Sequence, residues 1–189
     1  MKKIILDRII EAQKNLTILK KNHFINQISK AAKLCINSLN KRGKIVFCGN
    51  GGSASDAAHL SAELVGRYLS NRKPYASVCL SSNLSLLTAI ANDYGYENIF
   101  SRQIEAIGKK DDVLFAISTS GKSKNILKAI KAAKKKKLKI IFLNSIKNKK
   151  VNKICNFDIK VPAQRVDQIQ ELHIMIGHLI CEIIERQIK

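Results

Sequence analysis

Residues 44–59 read Lys44-Ile45-Val46-Phe47-Cys48-Gly49-Asn50-Gly51-Gly52-Ser53-Ala54-Ser55-Asp56-Ala57-Ala58-His59. The opening run is apolar at every position from Ile45 to Cys48, with no polar alternation, and it stops at a glycine. That pattern predicts a strand buried on both faces, as in a parallel sheet covered by helices. Glycines at 49, 51 and 52 permit positive φ and close approach of a ligand to backbone amides. The helix expected to follow would present its first N–H groups to an anion. One segment thus predicts both the fold class and the place of the chemistry.

The same unit of apolar strand, polar loop and helix recurs downstream. Strands are expected at 76–80, 112–117, 138–143 and 157–161, with helices over about 83–92, 122–137 and 163–188. Upstream, Ile5, Ile9, Leu16 and Leu19 recur at helical spacing. After Asn22-His23 a second periodic stretch carries Ile25, Ile28, Ala32, Leu34, Cys35 and Leu39, closed by Lys41-Arg42-Gly43. These elements predict one α/β domain over residues 1–189, with a helical N-terminal extension (1–42) and an α/β core (43–189). The core is a three-layer arrangement in which a five-stranded parallel sheet is flanked by helices. Its connections should be right-handed, and ligands should bind beyond the carboxyl ends of the strands.

Composition narrows the function classes. With 189 residues, 46% hydrophobic and 25% charged, the chain has an ordinary globular balance and enough length to bury a core without disulfides or metals. Cys35, Cys48, Cys79, Cys155 and Cys181 are odd in number and contain no CxxC pair, so a zinc ribbon or thiol–disulfide site is not supported. They read as buried thiols in a reducing compartment. Asp7, Arg8, Glu11 and Lys14 interrupt the apolar start as no signal sequence would, and no apolar run is long enough to span a membrane. A cytoplasmic protein with no membrane partner is expected. The net charge of +20 would attract anions, but aromatics are only 5% and tryptophan is absent, which argues against a specific nucleic-acid partner. The densest block, Lys134-Lys135-Lys136-Lys137, falls late in an expected helix and reads as a solvated face.

The loops carry the chemistry. Gly49-x-Gly51-x-x-Ala54 fits the loose dinucleotide fingerprint, which also requires an acidic residue after the second strand. Ser81-Ser82-Asn83 stands there instead, so that cofactor is excluded. The third strand ends in Ser118-Thr119-Ser120-Gly121-Lys122-Ser123. Helix capping needs one hydroxyl. Four hydroxyls and a glycine at a helix start favour a phosphate cup. His59 and Glu63 share a helix face, a spacing that serves a metal pair, a base with its partner or a surface contact. Arg67 lies one turn further. The last helix sets Asp167, Gln170, Glu171, His173 and His178 among Ile169, Leu172, Ile174, Ile176, Leu179 and Ile180. Gln170 and His178 are about 12 Å apart along a helix. A site using both requires long reach or two subunits, whereas Glu171 and His178 make the simpler same-face pair.

Together, the stretch from Gly49 to His59, the Ser118-Thr119-Ser120-Gly121-x-Ser123 loop and Gln170-Glu171-x-His173 resemble the SIS (sugar isomerase) phosphosugar-binding family, a flavodoxin-like fold. The resemblance covers nearly the whole chain and is strongest to the members that isomerise sedoheptulose 7-phosphate. It implies conversion of that ketose to D-glycero-D-manno-heptose 7-phosphate for bacterial lipopolysaccharide or capsule. It also implies a homotetramer with active sites at subunit interfaces. By matching position, Ser118, Thr119, Ser120 and Ser123 would hold the phosphate, and Asn50, Gly51, Gly52, Glu63, Asn92, Asp93 and Gln170 would contact the substrate. His59, Glu63, Gln170 and His178 would hold one zinc per subunit, with Glu63 as base and His178 as acid.

Two rival readings remain open at this level. Some SIS proteins of this size are tetrameric regulators that bind the bacterial replication initiator. A complete acid–base and metal constellation is unnecessary for that role, and fold alone does not decide between them. The other rival is an isomerase of a shorter phosphosugar, which would use the same phosphate cup with a different pocket depth.

Overall fold

The computed structural model describes residues 1–148 and 153–188. Five strands, β1 (Ile45–Cys48), β2 (Ser77–Cys79), β3 (Val113–Ile117), β4 (Lys139–Ser145) and β5 (Phe157–Val161), form one parallel sheet in the order β2-β1-β3-β4-β5. The helices are α1 (Lys2–Leu19), α2 (Asn22–Asn40), α3 (Gly52–Val65), α4 (Leu84–Tyr94), α5 (Ser101–Ile107), α6 (Lys124–Lys135) and α7 (Val166–Gln187).

The apolar runs are continuous because both sheet faces are covered. Ile45, Phe47, Val113, Phe115 and Ile117 face a layer built from α2, α3 and α7. Their neighbours Val46, Cys48, Leu114 and Ala116 face α4, α5 and α6. This is the expected three-layer sandwich. All five cysteines are free thiols, but the expectation that all are buried holds for Cys35, Cys48 and Cys181 and not for Cys79 and Cys155, which are half-buried.

The site follows from strand order. β1 pairs directly with β3, Cys48 opposite Ala116. From β1 the chain leads outward to β2, and from β3 it leads to β4 on the other side. The carboxyl ends of β1 and β3 therefore flank the topological switch point, where an open α/β sheet leaves a crevice. The glycine loop and the serine loop open from those two strand ends.

Some expectations are revised. α2 belongs to the sandwich, packing on α7 and β5, and α1 joins the core at its C-terminal end through Leu19. Ile5, Ile9, Leu16 and Ile25, inward by spacing, are exposed, while Leu19 is buried. Asn15 anchors α1 by donating its side-chain N–H to Gln168 Oε1 at 3.0 Å. The sequence reading also lacks the short 3₁₀ turn at Tyr96–Asn98 and α5. α5 is only seven residues long and contains a buried Gln103, whose amide bonds to the Leu80 and Ile99 carbonyls. A two-turn helix with a polar core residue has too little periodicity to be read.

Candidate active site

The glycine loop is held from both sides. Ser81 accepts a hydrogen bond from the Gly49 amide (3.3 Å) and donates to the Gly49 carbonyl (2.8 Å), so the position lacking an acid carries a tie for the loop. Asn50 faces the crevice and exchanges two amide hydrogen bonds with Asn125 at the start of α6, at 2.9 and 2.8 Å. The Tyr96 hydroxyl donates to the same Asn50 oxygen at 3.2 Å. Asn125 and Tyr96 were missed in the sequence, where neither belongs to a recognisable motif. Gly51 and Gly52 are exposed. A Cβ on Gly52 would meet the Gln170 side-chain amide, which lies directly over the glycine.

Across the crevice, the serine loop curls on itself. Ser118 Oγ accepts from the Gly121 amide (3.2 Å) and lies 3.4 Å from Ser123 Oγ, while Ser120 Oγ accepts from the Lys122 amide (3.2 Å). Ser145 at the end of β4 donates to the Thr119 carbonyl. Ser123 is the N-cap of α6, yet its side chain makes no capping hydrogen bond. The bland reading of these hydroxyls as caps therefore fails at the residue placed to cap. Hydroxyls and the α6 N-terminus gather at one strand end, an arrangement suited to an anion.

The third group forms where α3 and α7 run side by side. Gly52 meets Gln170 at one end, Leu60 meets Gly177 further on, and His59 meets His178. The His59 and His178 Nε2 atoms are 2.9 Å apart, and His59 Nε2 is 3.2 Å from Glu63 Oε1. His59 is half exposed, Glu63 less so. The His178 ring meets His59 edge-on and stacks on Tyr68 with 5.5 Å between centroids. Burial and the neighbouring His59 push the His178 imidazole below its ordinary value, against the pull of Glu63. Asp56, one turn before His59, has a buried Oδ2 with no hydrogen-bond partner among the described residues. Burial lifts its carboxyl to about 6, against the influence of His59.

The other sequence-derived residues fall elsewhere. Within one chain Gln170 stays at Gly52, about 12 Å of helix rise from His178, so it does not join the triad. Glu171 lines a cleft against Ala12 and Leu16 of α1 and does not pair with His178. Asp167 pairs with Arg165 at the surface, and Arg67 is exposed. His173 is fully buried with its Nε2 3.1 Å from the Asn144 carbonyl. Asn92 and Asp93 are exposed at the end of α4, where the Asn92 amide donates to the Asp93 carboxylate.

Ligand atoms of His59, Glu63 and His178 lie within 4.8 Å of one another. Donors held 2.0–2.1 Å from a tetrahedral zinc ion stand about 3.3 Å apart, and the two separations at His59 approach that edge. Two imidazoles and a carboxylate are also the donor set of zinc sites that keep a position open for water or substrate. The residues present fit the metal.

The sequence profile of the SIS domain family matches residues 11–145. The phosphoheptose isomerase of Rhodospirillum rubrum is 50% identical over 158 residues, 84% of each chain. That of Sulfurimonas denitrificans is 44% identical over 189 residues, covering 100% of this chain and 97% of its own. The structure of phosphoheptose isomerase GmhA from Neisseria gonorrhoeae superimposes with a TM-score of 0.89 at 35% identity, over 98% of both chains. The chain belongs to the SIS domain family, and within it to the phosphoheptose isomerases.

Proposed function

We propose that the chain acts as a single SIS domain that isomerises sedoheptulose 7-phosphate to D-glycero-D-manno-heptose 7-phosphate through an enediol. The observation that carries this reading is the convergence of His59, Glu63 and His178 between α3 and α7. Ser118, Thr119, Ser120 and Ser123 hold the phosphate at the α6 N-terminus. Asn50, Gly51, Gly52, Asn92, Asp93 and Gln170 contact the sugar.

Glu63 removes a proton from C1 of the open-chain ketose, and the His178 ring N–H serves the C2 oxygen as the enediol forms. Return of a proton to C2, with loss of the O1 proton, yields the aldose. The downward shift of His178 suits this role, because a neutral imidazole near pH 7 donates a hydrogen bond without a fixed charge. His59, Glu63 and His178 would hold one zinc per subunit. When bound, zinc supplies Lewis-acid stabilisation of negative charge on the sugar oxygens.

The remaining assignments follow from the same reading. Gln170 completes the zinc set of a neighbouring copy, since its own triad is out of reach. Exposed Ile4, Ile5, Leu6, Ile9 and Ile10 on α1 give a homotetramer an apolar face to cover. No described helix is long and apolar enough to cross a membrane. The enzyme works in the cytoplasm without a membrane or specific nucleic-acid partner, and supplies heptose for lipopolysaccharide or capsule.

The test is turnover of sedoheptulose 7-phosphate by purified protein, after chelation and after zinc is restored. Loss and recovery are expected, and Glu63→Gln should lower kcat by about 100-fold or more. A folded, zinc-loaded oligomer that leaves this substrate unchanged overturns the reading.

A further inference from the structure

The segment after α3 folds back over the end of α7 and is gripped there by one carboxylate. Glu185 accepts from the backbone amides of Tyr68 (3.1 Å), Leu69 (2.9 Å) and Ser70 (2.6 Å), from the Ser70 hydroxyl (2.7 Å) and from Arg72 Nε (2.9 Å). The Glu185 side chain is 4% exposed. Burial alone would raise its pKa, but the hydrogen bonds from Ser70, Tyr68 and Leu69 hold it at about 2. The rest of the Arg72 guanidinium caps α3, donating to the carbonyls of Glu63 (2.7 Å) and Leu64 (3.0 Å). Its flat face lies 4.1 Å from the centroid of the Tyr75 ring.

This clamp reaches the triad at two points. Arg72 bonds the backbone of Glu63 itself. Tyr68, whose amide Glu185 holds, lays its ring against the His178 imidazole at an interplanar angle of 27°. A stacked ring restricts rotation of its neighbour, and His59 meets the same His178 ring edge-on. The loop donates five hydrogen bonds to this one buried carboxylate, and one of the residues so held touches a triad member.

We propose that Glu185 and Arg72 are positioning residues for the isomerase site, acting by locking Tyr68 against His178 and fixing the end of α3 that bears Glu63. This rests on the isomerase reading above. None of the three side chains need touch the substrate. Their effect is on ring orientation and on the spacing of donor atoms, to which metal affinity and catalytic rate are both sensitive.

The experiment compares Tyr68→Leu, Tyr68→Phe and Glu185→Gln in the full chain. It measures kcat and KM on sedoheptulose 7-phosphate, affinity for zinc alone by competition with a chromophoric chelator, and thermal unfolding. Tyr68→Phe keeps the ring and should match the parent within about twofold. Tyr68→Leu should lose about tenfold in kcat and in zinc affinity, with KM within about twofold. Glu185→Gln should lose at least as much as Tyr68→Leu. Tyr68→Leu leaves every backbone hydrogen bond of the clamp in place, so it carries the test if Glu185→Gln does not fold. Parent-like kcat and zinc affinity in Tyr68→Leu overturn the proposal. If the parent itself does not turn over this sugar, the isomerase reading fails, and the zinc arm alone decides whether the clamp positions the triad.

Discussion

Gly177 lies directly against the Leu60 side chain, and a Cβ built on it would collide with the Leu60 methyl groups. Both residues are buried, Leu60 completely, so neither has free space to yield into. Each is the chain neighbour of a triad histidine, His178 and His59. The missing side chain at 177 therefore sets how closely α7 approaches α3 and how far apart the two imidazoles stand. Gly177→Ala should push the helices apart, costing about 1–3 kcal/mol by overpacking. A displacement of about 1 Å costs on the order of 100-fold in rate when reacting groups are misplaced. Kinetics alongside urea unfolding would check both figures; an unchanged kcat would show that the spacing at 177 does not govern the site.

The 12 Å of helix between Gln170 and His178 leads to a complementation experiment. Chains carrying Gln170→Ala and chains carrying His59→Ala should each be nearly inactive. Mixed oligomers restore sites in which an intact triad from one chain meets Gln170 from another, at about one quarter of parental turnover for random assembly. Absence of recovery in verified mixed oligomers would place Gln170 in the site of its own chain.

Ser120 is exposed in the serine loop, and its hydroxyl is engaged only by the Lys122 amide among the hydrogen bonds of the described residues. On the proposed reading, phosphate held there would be bound equally in ground and transition states. Ser120→Ala should therefore raise KM by about tenfold and leave kcat within about threefold. A loss confined to kcat would contradict the phosphate assignment.

The sequence exposed those parts of the molecule that repeat a local pattern. β1, β3 and β4 are buried on both faces, so their apolar runs stand out. β2, a half-buried edge strand over Ser77–Cys79, occupies less than the expected 76–80. Helix ends shifted by one to three residues, with α6 at Lys124–Lys135 and α7 at Val166–Gln187. His59 with Glu63 was legible because one helix turn relates them. Their meeting with His178 came from the family resemblance and not from spacing, because it depends on how α7 packs on α3, where Gly177 lies against Leu60, a contact between residues distant in sequence. The Glu185 clamp left no trace for a similar reason. Three of its donors are backbone amides, which any residue type supplies.

His173 provides a test of stability that does not pass through the active site. The side chain is 0% exposed, its Nε2 is satisfied by the Asn144 carbonyl, and its Nδ1 has no hydrogen-bond partner among the described residues. Burial pushes its pKa down to about 4, with the bond to Asn144 opposing the shift. As pH falls below about 6.5, the unfolded imidazole takes a proton while the folded one refuses it until about pH 4. The unfolded state then binds more protons, so stability is lost across that window, by about 3 kcal/mol in all. Asp56 acts in the opposite sense, its folded carboxyl protonating near 6 and its unfolded one near 3.8, which offsets part of the loss. Glu185 contributes its own loss mainly below about 4.5, as pH falls toward 2. His173→Gln retains a side-chain N–H and removes the His173 titration. Urea unfolding at pH 7, 6, 5 and 4 should show the parent losing about 3 kcal/mol more than this variant. Parallel pH profiles for the two proteins would exclude His173 as the source of acid sensitivity.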